Sequence, residues 1–370
     1  MKHKIWAPVL LIVATLLAAG LVPVSASQPG EQALDAVPSD AKPLRPIADA
    51  ATLPAAVTPD PLIQEMIDQV DSTTVLSYTG DLSGMWPVEI GGNPYTILTR
   101  NTRSGTPILK ATQYAGEHLA GLGLDVEYQS WTGGGGTTGR NVIGEITGES
   151  HPDDVYIICA HLDDMPSSGA APGADDNASG SAAVLVAADI LSQYHWGCTL
   201  RFALWTGEEQ GLYGSEAYAY RAYMADENIV GVLNLDMIAW NKAGSVPGID
   251  LYADPYLPAT VDLANLFDGV VDAYNLSLSP QVILDANETG SDHASFWDYD
   301  YTAILAIEDF DDFNPNYHTT NDTQPTLDQA YFTEFVKASV GTMAHMSNCL
   351  LRPEWYFHYY LPLVASDAAE

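Results

Sequence analysis

The sequence predicts an α/β fold with a mixed, mostly parallel central sheet covered by helices on both faces. Short apolar runs of buried-strand length, such as Val155–Ala160 and Leu200–Trp205, alternate with longer segments of helical spacing, such as Ala178–Tyr194. Parallel strands need long crossover connections, and these helical segments lie where the crossovers would be. Apolar residues are 47% of the 370 residues, which is enough to bury both faces of such a sheet.

The predicted elements follow in an order that fits this sheet. A short helix is expected at Leu62–Val70, and a longer helix at Pro107–Leu122 ends where Gly121 and Gly123 stand. The remaining elements are predicted as strand Val126–Trp131, a loop at Gly133–Gly136, strand Asn141–Ile146, strand Val155–Ala160, helix Ala178–Tyr194, strand Leu200–Trp205, helix Tyr213–Ala225, strand Val230–Leu235, helix Leu257–Tyr274, strand Thr302–Ile307 and a closing helix Thr326–Leu350.

The N-terminus has the pattern of a secretory signal peptide over residues 1–26. Lys2 and Lys4 precede the apolar run Ile5–Val24, and two small residues follow that run. An uncleaved membrane anchor is the alternative, because the run is long enough to span a bilayer. Two prolines and a glycine interrupt the run and favour cleavage, so we expect a secreted, extracellular protein with no membrane span after processing.

Outside the signal peptide the chain is predicted to contain one folded domain. Residues 27–61 are rich in Ala, Pro and Asp without a sustained period, which is typical of a flexible leader or propeptide. The folded domain is expected at residues 62–350. Residues 351–370 form a tail, either a packed strap or a processed sorting signal.

The charge balance excludes some classes of partner. The chain has 13 Lys and Arg against 48 Asp and Glu, a formal net charge of −35. Such a chain is not expected to bind nucleic acid or an anionic membrane surface, because both are themselves negatively charged. We expect a soluble monomer.

The cysteine residues do not form a disulfide framework. Cys159 lies inside an apolar run and is expected to be a buried thiol. Cys198 and Cys349 are able to pair in an oxidising compartment, but spacing alone does not establish their geometry, and this pairing stays open.

Polar residues cluster just past the ends of the predicted strands, where open α/β sheets bind their ligands. The clusters are Ala160–Asp164 (AHLDD), Gly173–Gly180 (GADDNASG), Thr206–Gly211 (TGEEQG), Asn234–Met237 (NLDM) and Tyr317–Asp322 (YHTTND), with Ser291–His293 upstream of the last. Each has an ordinary explanation by itself, such as helix capping or a solvated loop. Together they indicate a metal site, because imidazoles and carboxylates are zinc ligands and one carboxylate can bridge two ions.

These motifs, in this order, resemble the secreted bacterial di-zinc aminopeptidases of the leucyl aminopeptidase type. Their metallopeptidase family also contains glutaminyl cyclases and glutamate carboxypeptidases. The resemblance covers about Pro107 to Cys349 and implies a three-layer, zinc-exopeptidase-like fold. It implies that two zinc ions are held by His161, Asp176, Glu209, Asp236 and His318, with Asp176 as the bridge. It further implies Glu208 as general base, Tyr317 as a donor to the oxyanion, and Asp163 as the acid that orients His161.

The resemblance therefore implies a secreted zinc metalloprotease, a hydrolase that removes the N-terminal residue from peptides with a free N-terminus. Within the family, a glutaminyl cyclase would use one zinc and a Trp-lined pocket, and a carboxypeptidase would need arginines, which this chain has in small number. A non-catalytic binding ectodomain would be expected to lack ligands, and none is missing here. The chain has no His-Glu-x-x-His motif, which excludes a zincin protease.

Overall fold

A long twisted sheet forms the frame of the chain in the computed structural model. The structure describes residues 53–54 and 56–352, so the predicted signal peptide, most of the leader and most of the tail lie outside the described residues. The elements follow in the order α1 Pro61–Asp68, α2 Ser72–Leu82, β1 Val88–Glu89, β2 Pro94–Tyr95, α3 Thr106–Gly121, β3 Asp125–Thr132, β4 Thr138–Ile146, β5 His151–His161, α4 Ala178–Leu191, β6 Cys198–Trp205, α5 Tyr213–Met224, β7 Ile229–Asp236, β8 Gly248–Ala253, α6 Pro258–Ala273, β9 Ser279–Leu284, α7 His293–Trp297, β10 Ala303–Glu308 and α8 Gln329–Ser347.

The main sheet is mixed with a parallel centre, as predicted. Its strand order is β3-β4-β6-β5-β7-β10-β8-β9, while β1 and β2 form a separate small ribbon. The central strands β6, β5, β7 and β10 run parallel to one another. The hairpin β3–β4 joins antiparallel at one side, and β8 joins antiparallel to β10 at the other. The carboxyl ends of the central strands therefore meet at one edge of the sheet.

Both faces of the sheet are buried, which explains why its central strands are continuous apolar runs. In β5, the side chains of Tyr156, Ile158 and Ala160 join a large core that includes residues of α1, α4, α6 and α8. The alternate side chains of Val155, Ile157 and Cys159 join a second core that includes residues of α5 and α7. The helices therefore lie on both faces, as the sequence predicts.

Several elements were not predicted from the sequence. Helix α2 contains several Thr and Ser residues of modest helix propensity, yet it packs on α4 and the main core. Strand β9 is only partly buried and polar at its start, because it forms the edge of the sheet. The closing helix begins at Gln329 rather than Thr326, because the preceding residues form a separate 3-10 turn and Asp328 caps the helix.

The cysteines and the first described residues complete the fold. A disulfide joins Cys198 at the start of β6 to Cys349 just past α8, with the Cα atoms 5.7 Å apart, which resolves the pairing that spacing left open. Cys159 is a buried free thiol, as predicted. Leu53 and Val57, at the end of the predicted leader, pack against the large core. Among the described residues, no helix is both long and apolar enough to cross a bilayer.

Candidate active site

Two of the predicted ligands lie on neighbouring parallel strands, and strand register brings them together. Strands β5 and β7 pair with Cys159 opposite Asn234, so the residues two positions further along each strand also face each other. These residues are His161 and Asp236, the last residues of their strands, and His161 Nε2 lies 3.1 Å from Asp236 Oδ1. The parallel register thus produces the first pair of the site.

Asp176 lies between this pair and His318, just before helix α4. Its Oδ1 is 3.3 Å from His161 Nε2, and its Oδ2 is 3.1 Å from His318 Nε2. On the other side of the carboxylate, His318 Nε2 is 2.9 Å from Glu209 Oε2. The ligand atoms therefore form two groups, His161–Asp176–Asp236 and Asp176–Glu209–His318, that share one carboxylate.

The start of helix α4 holds Asp176 in this place. Asn177 caps the helix by accepting a hydrogen bond from the backbone N–H of Gly180 at 2.8 Å. A side chain at Gly180 would meet the Leu235 carbonyl at 2.5 Å, so only glycine allows the helix to approach β7 this closely. The Asp322 carboxylate also accepts hydrogen bonds from the backbone N–H groups of Asp175 and Asp176, both at 3.0 Å. The loop that carries His318 is thereby tied to the loop that carries the shared carboxylate.

The adjacent glutamates lie in one turn of 3-10 helix directly after β6. Gly207 precedes them at φ 84°, and a side chain there would lie 2.6 Å from the Trp131 ring, so the turn requires glycine. The Glu209 side chain is 4% exposed and faces His318. The carboxylate of Glu208 lies beside both groups, because one of its oxygens, a nitrogen of His161 and an oxygen of Glu209 all lie within 4.8 Å of one another.

Burial and the crowding of acids perturb the protonation of this site. Burial raises the pKa of Glu208 well above its usual value, and the charges of Asp236 and Asp292 add to this effect. Burial and the neighbouring Asp176 charge raise the pKa of Glu209 to about 7. Although burial opposes it, hydrogen bonds to Asp176 and Glu209 raise the pKa of His318 to about 10. The groups hold protons that a divalent cation would displace, as expected for a metal centre.

Asp163 contacts His161, but chiefly through its backbone. His161 Nδ1 is 3.1 Å from the Asp163 carbonyl oxygen, whereas the nearer carboxylate oxygen, Oδ1, is 3.9 Å away. That carboxylate is fully buried, and it accepts the backbone N–H of Glu208 at 3.3 Å. The predicted orienting residue therefore connects the first histidine to the turn that carries the candidate base.

Tyr317 lies beside the site with its ring stacked on His318, the ring centroids being 3.6 Å apart. The residue is 41% exposed and forms part of the wall of the cavity above the ligands. Burial and the surrounding acids raise the pKa of its phenol, so Tyr317 stays a protonated hydrogen-bond donor. His318 itself has φ 57°, a left-handed conformation that is costly for a non-glycine residue and typical of functional sites.

A cavity of about 200 Å³ opens directly on the candidate ligands. Its acidic and imidazole floor includes His161, Asp176, Glu208 and His318. Its other walls are mainly apolar and aromatic, with one carboxylate at Glu288, and comprise Met237, Glu288, Gly290, Ser291, Leu305, Ile307, Phe310, Phe313 and Tyr317. The cavity thus places an apolar compartment next to a polar centre, as in many small-molecule and peptide sites.

Two residues of the site were assigned no role from the sequence. Ser291 donates a hydrogen bond to Asp236 Oδ2 at 2.6 Å and accepts one from Asn234 at 2.8 Å, which fixes the Asp236 carboxylate. Asp292 is fully buried, and burial raises its pKa to about 7. The Ser291–His293 cluster was noted in the sequence as a group of polar residues, but only the fold shows that Ser291 contacts Asn234 and Asp236 at the end of β7.

The donors present fit a pair of zinc ions. The two groups supply imidazole nitrogens and carboxylate oxygens, the donor types that zinc binds in catalytic centres. Glu209 Oε1 is buried and has no hydrogen-bond partner among the described residues, a cost that a bound cation would relieve. A carboxylate shared between two such groups at the carboxyl end of a parallel sheet would allow each group to hold one ion.

The chain belongs to peptidase family M28, whose family model matches residues 141–343. A probable leucine aminopeptidase of Arthroderma otae is 31% identical over 219 residues, which are 56% of each chain. Leucine aminopeptidase 1 of Ajellomyces dermatitidis is 30% identical over 214 residues, or 54% of each chain. A probable zinc metalloprotease of Pyrenophora tritici-repentis is 27% identical over 255 residues, covering 57% of this chain and 58% of that one. The chain therefore spans little more than half the length of the curated relatives it matches.

Solved structures share the fold at lower sequence identity. LapB from Legionella pneumophila superposes with a TM-score of 0.67 at 18% identity, covering 80% of this chain and 78% of that chain. An aminopeptidase from Aneurinibacillus sp. strain AM-1 gives 0.59 at 17% identity, covering 79% and 97%. A glutaminyl cyclase from Bacteroides thetaiotaomicron also gives 0.59, at 18% identity, covering 74% and 98%. At these identities the likeness establishes the shared α/β fold.

Proposed function

We propose that this chain is a secreted, zinc-dependent aminopeptidase that uses two zinc ions to hydrolyse the N-terminal peptide bond of peptides. Membership in peptidase family M28 supports peptide hydrolysis, and relatives named leucine aminopeptidase and zinc metalloprotease support the metal and the exopeptidase reaction. We propose a monomer that acts on peptides with a free N-terminus.

The observation that carries this proposal is the position of the Asp176 carboxylate. Its two oxygens lie 3.3 Å and 3.1 Å from the imidazole nitrogens of His161 and His318, so each oxygen faces a different group. A carboxylate that bound a single ion would not have its two oxygens directed at two different imidazole groups. Asp236 would complete the site of His161, and Glu209 the site of His318.

Zinc ions held there would lower the pKa of a water molecule and polarise the scissile carbonyl. Glu208 would accept the water proton and return it to the leaving amine, a role supported by the position of its carboxylate beside the ligand groups. Tyr317, kept neutral by its surroundings, is placed on the cavity wall to donate a hydrogen bond to the developing oxyanion.

The cavity supports a preference for an apolar N-terminal residue. The substrate's free amine would be drawn to the acidic floor, while its side chain would face the walls formed by Met237, Phe310 and Phe313. An apolar side chain of leucine or methionine size suits a compartment of about 200 Å³. The names of the leucine aminopeptidase relatives agree with this preference.

Secretion is supported by two features of the chain. The first is the signal-peptide pattern of residues 1–26. The second is the Cys198–Cys349 disulfide, because disulfides persist in oxidising compartments and are rare in the cytosol. Detection of the mature protein in culture medium, with an N-terminus near residue 27, would test this part of the proposal.

The activity is tested with a panel of aminoacyl-p-nitroanilides and their N-acetylated counterparts. We expect purified mature protein to release p-nitroaniline from the leucine substrate and not from N-acetyl-leucine p-nitroanilide, since the acetyl group removes the amine. Activity should be lost with a chelator and return with zinc. Equal rates on free and acetylated substrates would refute the aminopeptidase assignment, and formation of pyroglutamate from glutaminyl peptides would favour a cyclase instead.

A further inference from the structure

A short segment that precedes helix α3 contacts the loop that follows His161 at every one of its residues. We call Thr99–Thr102 the bracing segment; it lies outside the residues that match the family model. The hydroxyl of Thr99 donates to Asp164 Oδ1 at 3.2 Å, and the amide of Asn101 donates to the Asp164 carbonyl at 2.9 Å. The remaining two residues, Arg100 and Thr102, contact residues that adjoin the candidate metal ligands.

Arg100 is a fully buried cation whose guanidinium holds two loops of the site together. It donates to the carbonyl of Leu162 at 2.7 Å, next to His161, and to the carbonyls of Pro172 and Gly173 at 2.8 Å, shortly before Asp176. Its charge is balanced by Asp164, which lies 3.5 Å away and is equally buried. A buried guanidinium with its donors satisfied by backbone carbonyls fixes those carbonyls in space.

Thr102 connects the bracing segment to the environment of His161 itself. Its hydroxyl donates to Asp163 Oδ2 at 2.8 Å, and both residues are buried. The second oxygen of Asp163 accepts the backbone N–H of Glu208, and the Asp163 carbonyl faces His161 Nδ1 at 3.1 Å. Asp163 therefore has three contacts: its carbonyl faces His161, and its two carboxylate oxygens accept hydrogen bonds from Glu208 and Thr102.

We propose that Thr102 is a positioning residue for the His161 metal site: through Asp163 it fixes the orientation of the His161 ring. The proposal rests on the proposed two-zinc function. Loss of the hydroxyl would leave Asp163 Oδ2 buried without its donor, and a displacement of the whole Asp163 residue to relieve this cost would also displace its carbonyl, which faces His161 Nδ1. The Asp163 carbonyl faces His161 directly, whereas Asp163 reaches Glu209 of the other group only through the backbone of Glu208, so the larger effect should fall on the His161 site.

The test compares Thr102→Val, Thr102→Ser and Thr199→Val with wild type. Thr102→Val keeps the shape and removes the hydroxyl, and Thr102→Ser restores the donor. Thr199→Val removes an equally buried hydroxyl, bonded to the Pro152 carbonyl at 2.8 Å, at the start of β6. Thr199 lies six residues before Trp205, the end of β6 that is next to the site, which corresponds to about 20 Å along the strand. The control position is therefore remote from the candidate ligands. The readouts are stepwise zinc affinity by chelator competition, the visible spectrum of the cobalt form, and the unfolding midpoint of the metal-free protein.

We expect Thr102→Val to weaken one of the two zinc-binding steps about 10-fold and the other less, at the lower end of the range for removing a partner of a metal ligand, because Thr102 acts through Asp163. The cobalt spectrum should change with it, whereas Thr102→Ser and Thr199→Val should bind like wild type. Wild-type affinity in a folded Thr102→Val protein, or equal weakening of both steps, would overturn the proposal. Equal weakening in Thr199→Val would overturn it too, because the loss would then follow from stability alone.

If Thr102→Val does not fold, Thr102→Cys replaces the hydroxyl with a weaker donor of similar size. We then expect a smaller loss in the same binding step, and unchanged affinity would overturn the proposal. Wild-type protein that binds no zinc would instead remove the proposed function together with this inference. The two failures are distinguishable by the zinc content of the wild-type protein. If wild type binds two zinc ions and Thr102→Val binds them equally well, only the positioning role of Thr102 is refuted.

Discussion

Replacing Glu208 with glutamine removes the candidate base and keeps the shape of the side chain. This substitution separates two possible roles, because carboxylate oxygens of both Glu208 and Glu209 lie within 4.8 Å of a ring nitrogen of His161, so either side chain is near enough to share a metal ion with it. If Glu208 is the base, the variant should bind zinc like wild type and lose turnover. If Glu208 is instead a ligand, zinc content and activity should fall together.

The size of the loss follows from the role and the surroundings of Glu208. A positioned general base contributes about 10²–10⁴-fold, or about 2.7–5.4 kcal/mol of activation free energy. Burial raises the pKa of the Glu208 carboxyl, the charges of Asp236 and Asp292 add to this effect, and glutamine at this position has no carboxylate to accept the proton. KM should change little, since the substrate is expected to contact the metals and the apolar walls.

The assay measures kcat, KM and zinc per chain for Glu208→Gln and Glu209→Gln side by side. Glu209→Gln is the matched control, because it alters the adjacent carboxylate that faces His318 at 2.9 Å. We expect it to lose or weaken one zinc. If Glu208→Gln kept a third of wild-type kcat with full zinc, the assigned mechanism would fail.

Three further predictions concern the second ligand group, the leader and pH. His318→Ala should lower zinc stoichiometry and activity together, and full occupancy measured by metal analysis would remove His318 from the site. A truncated protein that begins at Leu53 should unfold at the wild-type temperature, whereas one that begins at Asp60 should unfold lower, because it lacks the core contacts of Leu53 and Val57; equal midpoints would contradict this packing. In metal-free protein, the pKa of His318 is raised to about 10 from its usual 6.5, so its stabilising contribution is complete below about pH 6.5 and is lost as pH rises toward 10. The stability difference between wild type and His318→Ala, measured by urea unfolding, should therefore shrink between pH 6.5 and 9, and a constant difference would refute the pairing.

The sequence was sufficient to predict the centre of the sheet and the location of the candidate site. The second half of β5, Val155–Ala160, and most of β7 are apolar because both faces are buried there, so the strand ends stand out as the points where His161 and Asp236 appear. The carboxyl ends of parallel strands meet at one edge, which is why separate motifs predicted one site. The shared position of Asp176 was implied by family resemblance and agrees with the distances in the structure.

What the sequence did not predict depends on contacts between distant residues. The edge strand β9 and the helix α2 lack a strong local period because they are buried over only part of their surface, and β8 is a short buried strand that takes its place in the sheet by pairing with β10 and β9. The bond between Thr102 and Asp163 joins residues 61 positions apart, and no local pattern marks a threonine as a partner of an acid. Likewise, the backbone carbonyl of Asp163 lies closer to His161 than its carboxylate does. The residue type alone does not predict which of these two groups makes the contact.

The central claim is that Asp176 is shared by two zinc ions. Anomalous diffraction at the zinc edge from crystals of the zinc-loaded protein measures this directly. We expect two peaks on opposite sides of the Asp176 carboxylate, about 3.5–4 Å apart, one beside His161 and Asp236 and the other beside Glu209 and His318. A single peak, or two peaks of which neither contacts Asp176, would contradict it.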